Sequence, residues 1–86
     1  MALPWVRLET GFPRNHKILE LVAARRWQAV TCYVSGLAYA GEQDSEGFIG
    51  FAALPFIHGT KQIGGQLVEV GLWIPHPQGW TIHGWA

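Results

Sequence analysis

The sequence predicts a single, mainly α-helical domain with a small β-hairpin near its C-terminal end. Three stretches place apolar residues at the helical spacing of three and four. Close to the C-terminus, two short runs of aromatic and β-branched residues flank a segment rich in proline and glycine, which is typical of a hairpin. The chain has 86 residues, of which 49% are hydrophobic, and we expect these to form one core without disulfides or metal.

The N-terminal part of the chain predicts a short strand and then a helix. Residues 6–9 alternate between apolar and charged side chains, as a half-buried strand does, and residues 10–13 break the pattern. A first helix is predicted to begin near Pro13, because proline is tolerated in the first turn, and to end near residues 24–25. Its apolar residues are Ile18, Leu19, Leu21 and Val22.

A second helix is predicted over residues 26–40, with Gly41 ending it. Tyr33 and Ala40 lie on another side of it, so the helix is apolar over much of its circumference, which indicates that it is the central, most buried helix. Gly36 lies inside this helix, where glycine costs about 1 kcal/mol relative to alanine. A close crossing with another helix would explain why glycine occurs there. One face of this helix is expected to be apolar and buried, and it carries Trp27, Val30, Val34, Leu37 and Ala38.

After an acidic turn at residues 42–47, the chain predicts a very short strand at 48–50 and a short helix at 52–57. Residues 58–60 form a tight connection to a third main helix over residues 61–71, which Thr60 can cap. The buried side of that helix is expected to carry Ile63, Leu67, Val68 and Val70. The opposite, outward side carries Lys61, Gln62, Gly65, Gln66 and Glu69.

The C-terminal hairpin is expected to pair residues 72–74 with residues 80–83 around a loop at 75–79, which is longer than a two-residue turn. A short helix, a tight turn and an amphipathic helix make a helix-turn-helix, and a hairpin directly after it is a wing. The predicted class is therefore a winged helix-turn-helix. Residues 1–86 form one such domain, either complete or at the N-terminus of a longer protein.

Charge and composition exclude several function classes. The six basic and six acidic residues cancel, which counts against non-specific phosphate binding, although most basic residues lie in the first 26 positions and could form a basic face. The four histidines and one cysteine lack the spacing of a structural zinc site. No nucleophile or phosphate-loop motif is present. We expect no enzyme activity, no metal and no cofactor.

The same features bear on the cellular location. Cys32 lies in an apolar run and is expected to be a buried, reduced thiol, which favours the cytoplasm. The apolar stretches are far shorter than the ~20 residues of a membrane span, and the N-terminus lacks a secretory signal pattern. We therefore expect no membrane association.

Several short sequence motifs together point to a known family. The N-terminal motifs are Trp5-Val6-Arg7-Leu8, Gly11-Phe12-Pro13 and His16-Lys17-Ile18-Leu19. The later motifs are Glu46-Gly47-Phe48-Ile49, Ala52-Ala53-Leu54, Leu67-Val68-Glu69-Val70-Gly71-Leu72-Trp73 and Gly79-Trp80-Thr81-Ile82-His83-Gly84-Trp85. In these motifs the sequence resembles the N-terminal winged-helix domains of replisome-organiser, or replication-initiation, proteins of phages and prophages of actinobacteria. This resemblance implies a cytoplasmic protein of the bacterial host that binds double-stranded DNA, or other replication proteins, in replication initiation or its regulation.

Eight residues are candidates for DNA binding. Lys61, Gln62 and Gln66 on the third helix would read base edges or contact phosphate, the alternative being a plain solvated or protein-binding face. His76 in the stiff hairpin loop would lie along the minor groove or a phosphate ridge, unless the prolines beside it only limit flexibility. The remaining four would hold the phosphate backbone, or else form solvated helix ends: Arg14, Lys17, Arg25 and Arg26.

A protein-interaction adaptor on the same fold is the alternative function. Trp73, Trp80 and Trp85 gather at the C-terminal end, where they form either a small aromatic core under the hairpin or an exposed apolar patch. Such a patch would bind a replication protein or a second copy of the chain as a homodimer. Self-association through the first strand or the hairpin is a further possibility.

Overall fold

A computed structural model describes residues 2–85 of the chain. Over this range the protein is a small mixed α/β domain in which helices pack against one face of an antiparallel sheet, an architecture compatible with a winged helix. The α-helices are α1 (His16–Ala23), α2 (Trp27–Gln43) and α3 (Lys61–Glu69). The strands are β1 (Phe48–Gly50), β2 (Trp73–His76) and β3 (Gly79–Ile82), and 3₁₀ segments occupy Phe12–Arg14 and Phe51–Ile57.

The sheet has the strand order β1-β3-β2, and both pairs are antiparallel. The short strand before α3 thus joins the C-terminal hairpin, and the predicted positions of both are confirmed. The predicted long loop is wrong, because β2 continues through Pro75 and His76 and leaves a turn of Pro77 and Gln78. Proline fits here since β2 is an edge strand, where a missing N–H costs no ladder hydrogen bond.

The strand predicted at residues 6–9 is wrong. These residues have no regular secondary structure, and no strand of the described chain lies beside them. The segment before them is held at one point, where the Leu3 N–H donates to the Gly41 carbonyl at 3.0 Å. An alternating pattern needs a neighbouring strand edge to become a strand, and this domain offers none at that position.

The first helix begins two residues after the 3₁₀ turn that contains Pro13. Asn15 caps α1, because its side-chain oxygen accepts from the Lys17 N–H at 2.9 Å. Ile18 and Leu21 are buried, whereas Leu19 is exposed. The helix ends at Ala23, close to the expected end.

The second helix differs from its prediction in both length and face. It continues through Gly41 to Gln43 and ends at Asp44, which adopts a left-handed conformation. Trp27 and Val34 of the predicted apolar face are exposed. The buried face instead carries small residues, namely Ala29, Cys32, Gly36, Ala40 and Gly41.

Gly36 explains why the small face is the buried one. A Cβ added there would lie 3.3 Å from the Trp73 ring, so α2 approaches the sheet closely rather than crossing another helix. Trp73 and Trp80 are both buried, with ring centroids 5.2 Å apart, and Trp85 packs against the same core. The aromatic-core alternative is therefore the observed one. Trp85 is only half-buried, and a homodimer through the aromatic C-terminal end stays a prediction.

Candidate nucleic-acid interface

The start of α3 is defined by its own side chains and by the turn before it. The 3₁₀ segment Phe51–Ile57 ends at His58 in a left-handed conformation, and Gly59 and Thr60 complete the connection. The Thr60 hydroxyl oxygen accepts from the Ile63 N–H at 3.1 Å, as the sequence predicts for a helix cap. Two helical pieces therefore meet at a tight turn, with α3 as the second piece.

The outward side of α3 is polar and open. Lys61, Gln62 and Gly65 are exposed, whereas Ile63 and Leu67 are buried in the core. Two adjacent glycines mark the boundary between the two sides. A Cβ on Gly64 would overlap the Trp80 ring, while a Cβ on Gly65 would meet nothing within 4 Å. Gly64 thus lets α3 seat against the sheet, and Gly65 leaves a flat surface on the helix.

The N-terminal end of α3 lies beside the hairpin turn. The Lys61 ammonium group sits 4.8 Å from the centroid of the Phe51 ring, and that ring packs edge-on against Trp80 at 5.2 Å. The Phe51 N–H donates to the Gln78 carbonyl in the turn at 3.2 Å. These contacts place a cation, an aromatic ring and the tip of the hairpin on one continuous surface.

The hairpin turn is stiffened by His76. Its Nδ1 accepts from the Gln78 N–H at 3.0 Å, and its ring packs edge-on against Phe48 at 4.8 Å between centroids. With Nδ1 acting as an acceptor, the neutral ring carries its proton on Nε2. His76 therefore presents an exposed N–H donor at the tip of the hairpin.

Gln66 does not face outward as expected. The residue is half-buried, and its Oε1 atom is out of contact with solvent and without a hydrogen-bond partner. Its position one turn after Gln62 suggested the same outward face, but residue 66 lies at the edge of the buried side. The polar outward surface of α3 is thus Lys61 and Gln62 with the backbone at Gly65.

Two of the predicted phosphate contacts are engaged within the protein. Lys17 donates from Nζ to the Gly71 carbonyl at 3.1 Å, just beyond the C-terminal end of α3. Arg26 forms an ion pair with Glu69 of α3, with 3.4 Å between nitrogen and oxygen. Both cations therefore sit at the end of α3 opposite to Lys61, where they offset the partial negative charge of the helix terminus.

Arg14 and Arg25 differ from these two. Both are exposed, and neither forms an ion pair or a side-chain hydrogen bond within residues 2–85. Arg25 lies at the α1–α2 junction in a left-handed conformation with φ of 58°. An external anion could therefore reach both side chains, as it could reach the exposed Arg7.

The other chemically reactive side chains are part of the core or scattered. Burial raises the pKa of the Cys32 thiol to about 11, so that it is protonated at neutral pH. Burial, with Glu9 nearby, also raises the pKa of Tyr33. Within residues 2–85, no group of three or more His, Cys, Asp or Glu side chains could hold a metal ion. Among the helices of this range, none combines the length and hydrophobicity needed to cross a bilayer.

No protein family, curated protein or solved structure matches this chain. What the surface around Lys61 binds therefore follows from its own residues and their chemistry.

Three residues of this surface were missed by the sequence analysis: Phe48, Phe51 and Gln78. Phe51 was placed just before the short helix and given no role, and no local sequence signal places its ring beside Lys61. Gln78 was noted only as a loop residue. Their proximity to Lys61 and His76 depends on β1 pairing with β3, and local sequence patterns do not predict that pairing.

Proposed function

We propose that this protein is a winged-helix DNA-binding domain of phage or prophage origin that acts in replication initiation or its regulation. In this proposal α3 enters the major groove with Lys61 and Gln62, and the hairpin turn with His76 lies against the adjacent backbone. The replication setting rests on the resemblance of the sequence to replisome-organiser domains.

The observation that carries the proposal is the shared surface of the α3 N-terminus and the hairpin turn. Winged-helix proteins bind duplex DNA with a helix in the major groove and a β-ribbon beside it. Lys61 can donate to guanine acceptors or to phosphate, and Gln62 can pair with an adenine edge. The exposed backbone at Gly65 permits close approach of the helix to the groove floor, since no side chain stands between them.

The net charge predicts how such binding behaves. A chain with a net charge of +0 can make few phosphate contacts, so we expect weak binding to a random-sequence duplex. Each phosphate contact adds about 0.9 to the slope of the logarithm of affinity against the logarithm of salt concentration. A shallow but measurable salt slope is therefore expected.

The test compares two exposed cations. Fluorescence anisotropy of a labelled random-sequence duplex is measured over a salt series for the wild type, Lys61→Gln and Arg14→Gln. Both variants remove one exposed positive charge. We expect Lys61→Gln to reduce the salt slope by about one and to lower affinity at low salt severalfold. Arg14→Gln is expected to have a smaller effect, because Arg14 precedes by three residues Lys17, which contacts the opposite end of α3.

Two outcomes contradict the proposal. Salt-independent or undetectable binding of duplex by the folded wild type would remove DNA as the ligand. Equal loss in both variants would show that binding reflects bulk charge rather than the α3 surface.

The adaptor alternative is supported by a separate observation. Phe56 and Trp27 are large aromatic residues that remain exposed, and Phe56 stacks on Tyr39 of α2. Capture of a replication protein that is lost in Phe56→Ser and retained in Lys61→Gln would favour the adaptor function. The reverse pattern would favour DNA binding as the main activity.

A further inference from the structure

The backbone of residues 4–8 lacks hydrogen-bond partners within residues 2–85. Leu3 is tethered to Gly41, and a turn closes at the other end, where the Phe12 N–H donates to the Glu9 carbonyl at 3.0 Å. Between these points, the backbone N–H and C=O groups make no hydrogen bond within residues 2–85. Solvent satisfies them in the monomer, and a second strand could satisfy them as well.

The side chains of this segment are also poorly covered. Trp5 is 69% exposed and Leu8 is 53% exposed. Val6 is half-buried and packs against α2 at Gly41, and the segment borders two grooves. One, of about 880 Å³, includes Leu37 and Trp85 in its wall, and the other, of about 850 Å³, includes Tyr39. A strand that paired with this segment would shield apolar surface that the monomer leaves in water.

The order of charges in the segment is self-complementary. Arg7 and Glu9 are two positions apart, and neither forms an ion pair within residues 2–85. In an antiparallel pair related by a two-fold axis at Leu8, Arg7 lies opposite Glu9 of the partner subunit. The same symmetry places Glu9 opposite the partner subunit's Arg7, so one pairing forms both cross-strand ion pairs.

Other registers lack this match. A shift by one residue places Arg7 opposite Leu8 of the partner subunit and moves charged side chains to the apolar face. A shift by two residues in either direction places like charges opposite each other, Arg7 with Arg7 or Glu9 with Glu9, which is unfavourable. The alternating sequence therefore specifies a single register.

We propose that residues 7–9 form an antiparallel β-pair with the same residues of a second copy of this chain, with Leu8 on the two-fold axis. The interface is isologous, so it closes as a dimer and does not propagate. A two-stranded pair of this length is marginal in water, so the dimer depends on the apolar contacts of Trp5 and Leu8 and forms as protein concentration rises. DNA binding is not required for it.

A charge exchange tests the register. Sedimentation is measured in a concentration series that reaches about 1 mM, where even weak association populates a dimer. We expect Arg7→Glu and Glu9→Arg, each alone, to weaken dimerisation at least severalfold, because each creates like-charge pairs. The double variant Arg7→Glu/Glu9→Arg restores both opposite-charge pairs and should recover the dimer. Circular dichroism checks that every variant is folded.

Disulfide trapping tests the symmetry axis independently. Cysteines at directly opposite strand positions have Cα atoms about 5 Å apart, within the range of a disulfide. With oxidised glutathione as the oxidant, Leu8→Cys should form a covalent dimer. Val6→Cys is the matched control, because that residue and its copy are four positions apart in this register and too far to bridge. The native Cys32 is buried and stays in place.

The inference is overturned by any of three results. The wild type could remain a monomer over the whole series, the double charge variant could associate no better than the single ones, or Val6→Cys could cross-link as efficiently as Leu8→Cys.

Discussion

The two ends of α3 use positive charge in opposite ways. At the N-terminal end, the Lys61 ammonium lies over the ring of Phe51 beside the hairpin turn, and no acidic side chain pairs with it within residues 2–85. At the C-terminal end, Lys17 donates to the Gly71 carbonyl and Arg26 pairs with Glu69. The first end offers a cation to solvent, and the second end uses two cations to hold the domain together.

The helix dipole explains the difference. Cations are stabilised near a helix C-terminus, so Lys17 and Arg26 gain from internal contacts there. A cation at the N-terminus is slightly disfavoured, and Lys61 is placed there next to an aromatic ring without a carboxylate to neutralise it. A basic residue in the sequence is thus a binding candidate only once its position relative to the helix ends is known.

The adjacent glycines of α3 should show the largest effect. Gly64→Ala forces a Cβ into the Trp80 ring, and overpacking of this kind costs about 1–3 kcal/mol of unfolding free energy. Gly65→Ala meets open space and should stabilise the domain by about 0.5–1 kcal/mol, because alanine is the better helix former. Urea unfolding of both variants against the wild type measures the difference.

Gly65→Ala also tests the binding surface. If the groove floor approaches the backbone at residue 65, the added methyl group should lower duplex affinity while it raises stability. If Gly64→Ala were stabilised as well as Gly65→Ala, the buried side of α3 would not include residue 64. If Gly65→Ala left the duplex affinity unchanged, DNA would not contact the backbone at residue 65.

The N-terminal end of α3 was largely predictable from the sequence. Thr60 as the cap, the outward position of Lys61 and the short helix before the turn are all local features, since each depends on residues within one or two helical turns. The contacts at the C-terminal end of α3 were not predictable in this way. Lys17 is 54 positions away from Gly71, and no local pattern indicates that α1 lies against the end of α3.

The prediction of which face of α2 is buried was wrong for a related reason. Hydrophobic periodicity favoured the stripe with the largest side chains, such as Trp27 and Val34, but the sheet packs where side chains are small. Gly36 and Cys32 allow Trp73 and the 3₁₀ segment to come close, and close approach buries more surface than large residues at a distance would. Which stripe faces the sheet is therefore decided by the tertiary partner.

Lys17 should show an intermediate effect. Lys17→Met keeps an unbranched apolar stem, one atom shorter, and removes the hydrogen bond to the Gly71 carbonyl, which is partly buried. We expect a loss of about 1 kcal/mol in unfolding free energy, measured by urea denaturation. Because Lys17 is engaged internally, the salt slope of duplex binding should not change. A reduced slope with unchanged stability would mean that Lys17 contacts phosphate, as the sequence suggested.

Arg26 should show the smallest effect on stability. Its ion pair with Glu69 is solvent-exposed, with 32% and 66% of the two side chains accessible, and exposed pairs contribute at most a few tenths of a kcal/mol. Arg26→Gln and Glu69→Gln should therefore each lower the unfolding free energy by less than about 0.5 kcal/mol, and 1 M salt should abolish the difference. Duplex affinity distinguishes the two ends of α3 in the same variants. Glu69→Gln frees the Arg26 guanidinium from its ion pair. Tighter duplex binding by Glu69→Gln than by the wild type is expected only if the C-terminal end of α3 faces DNA.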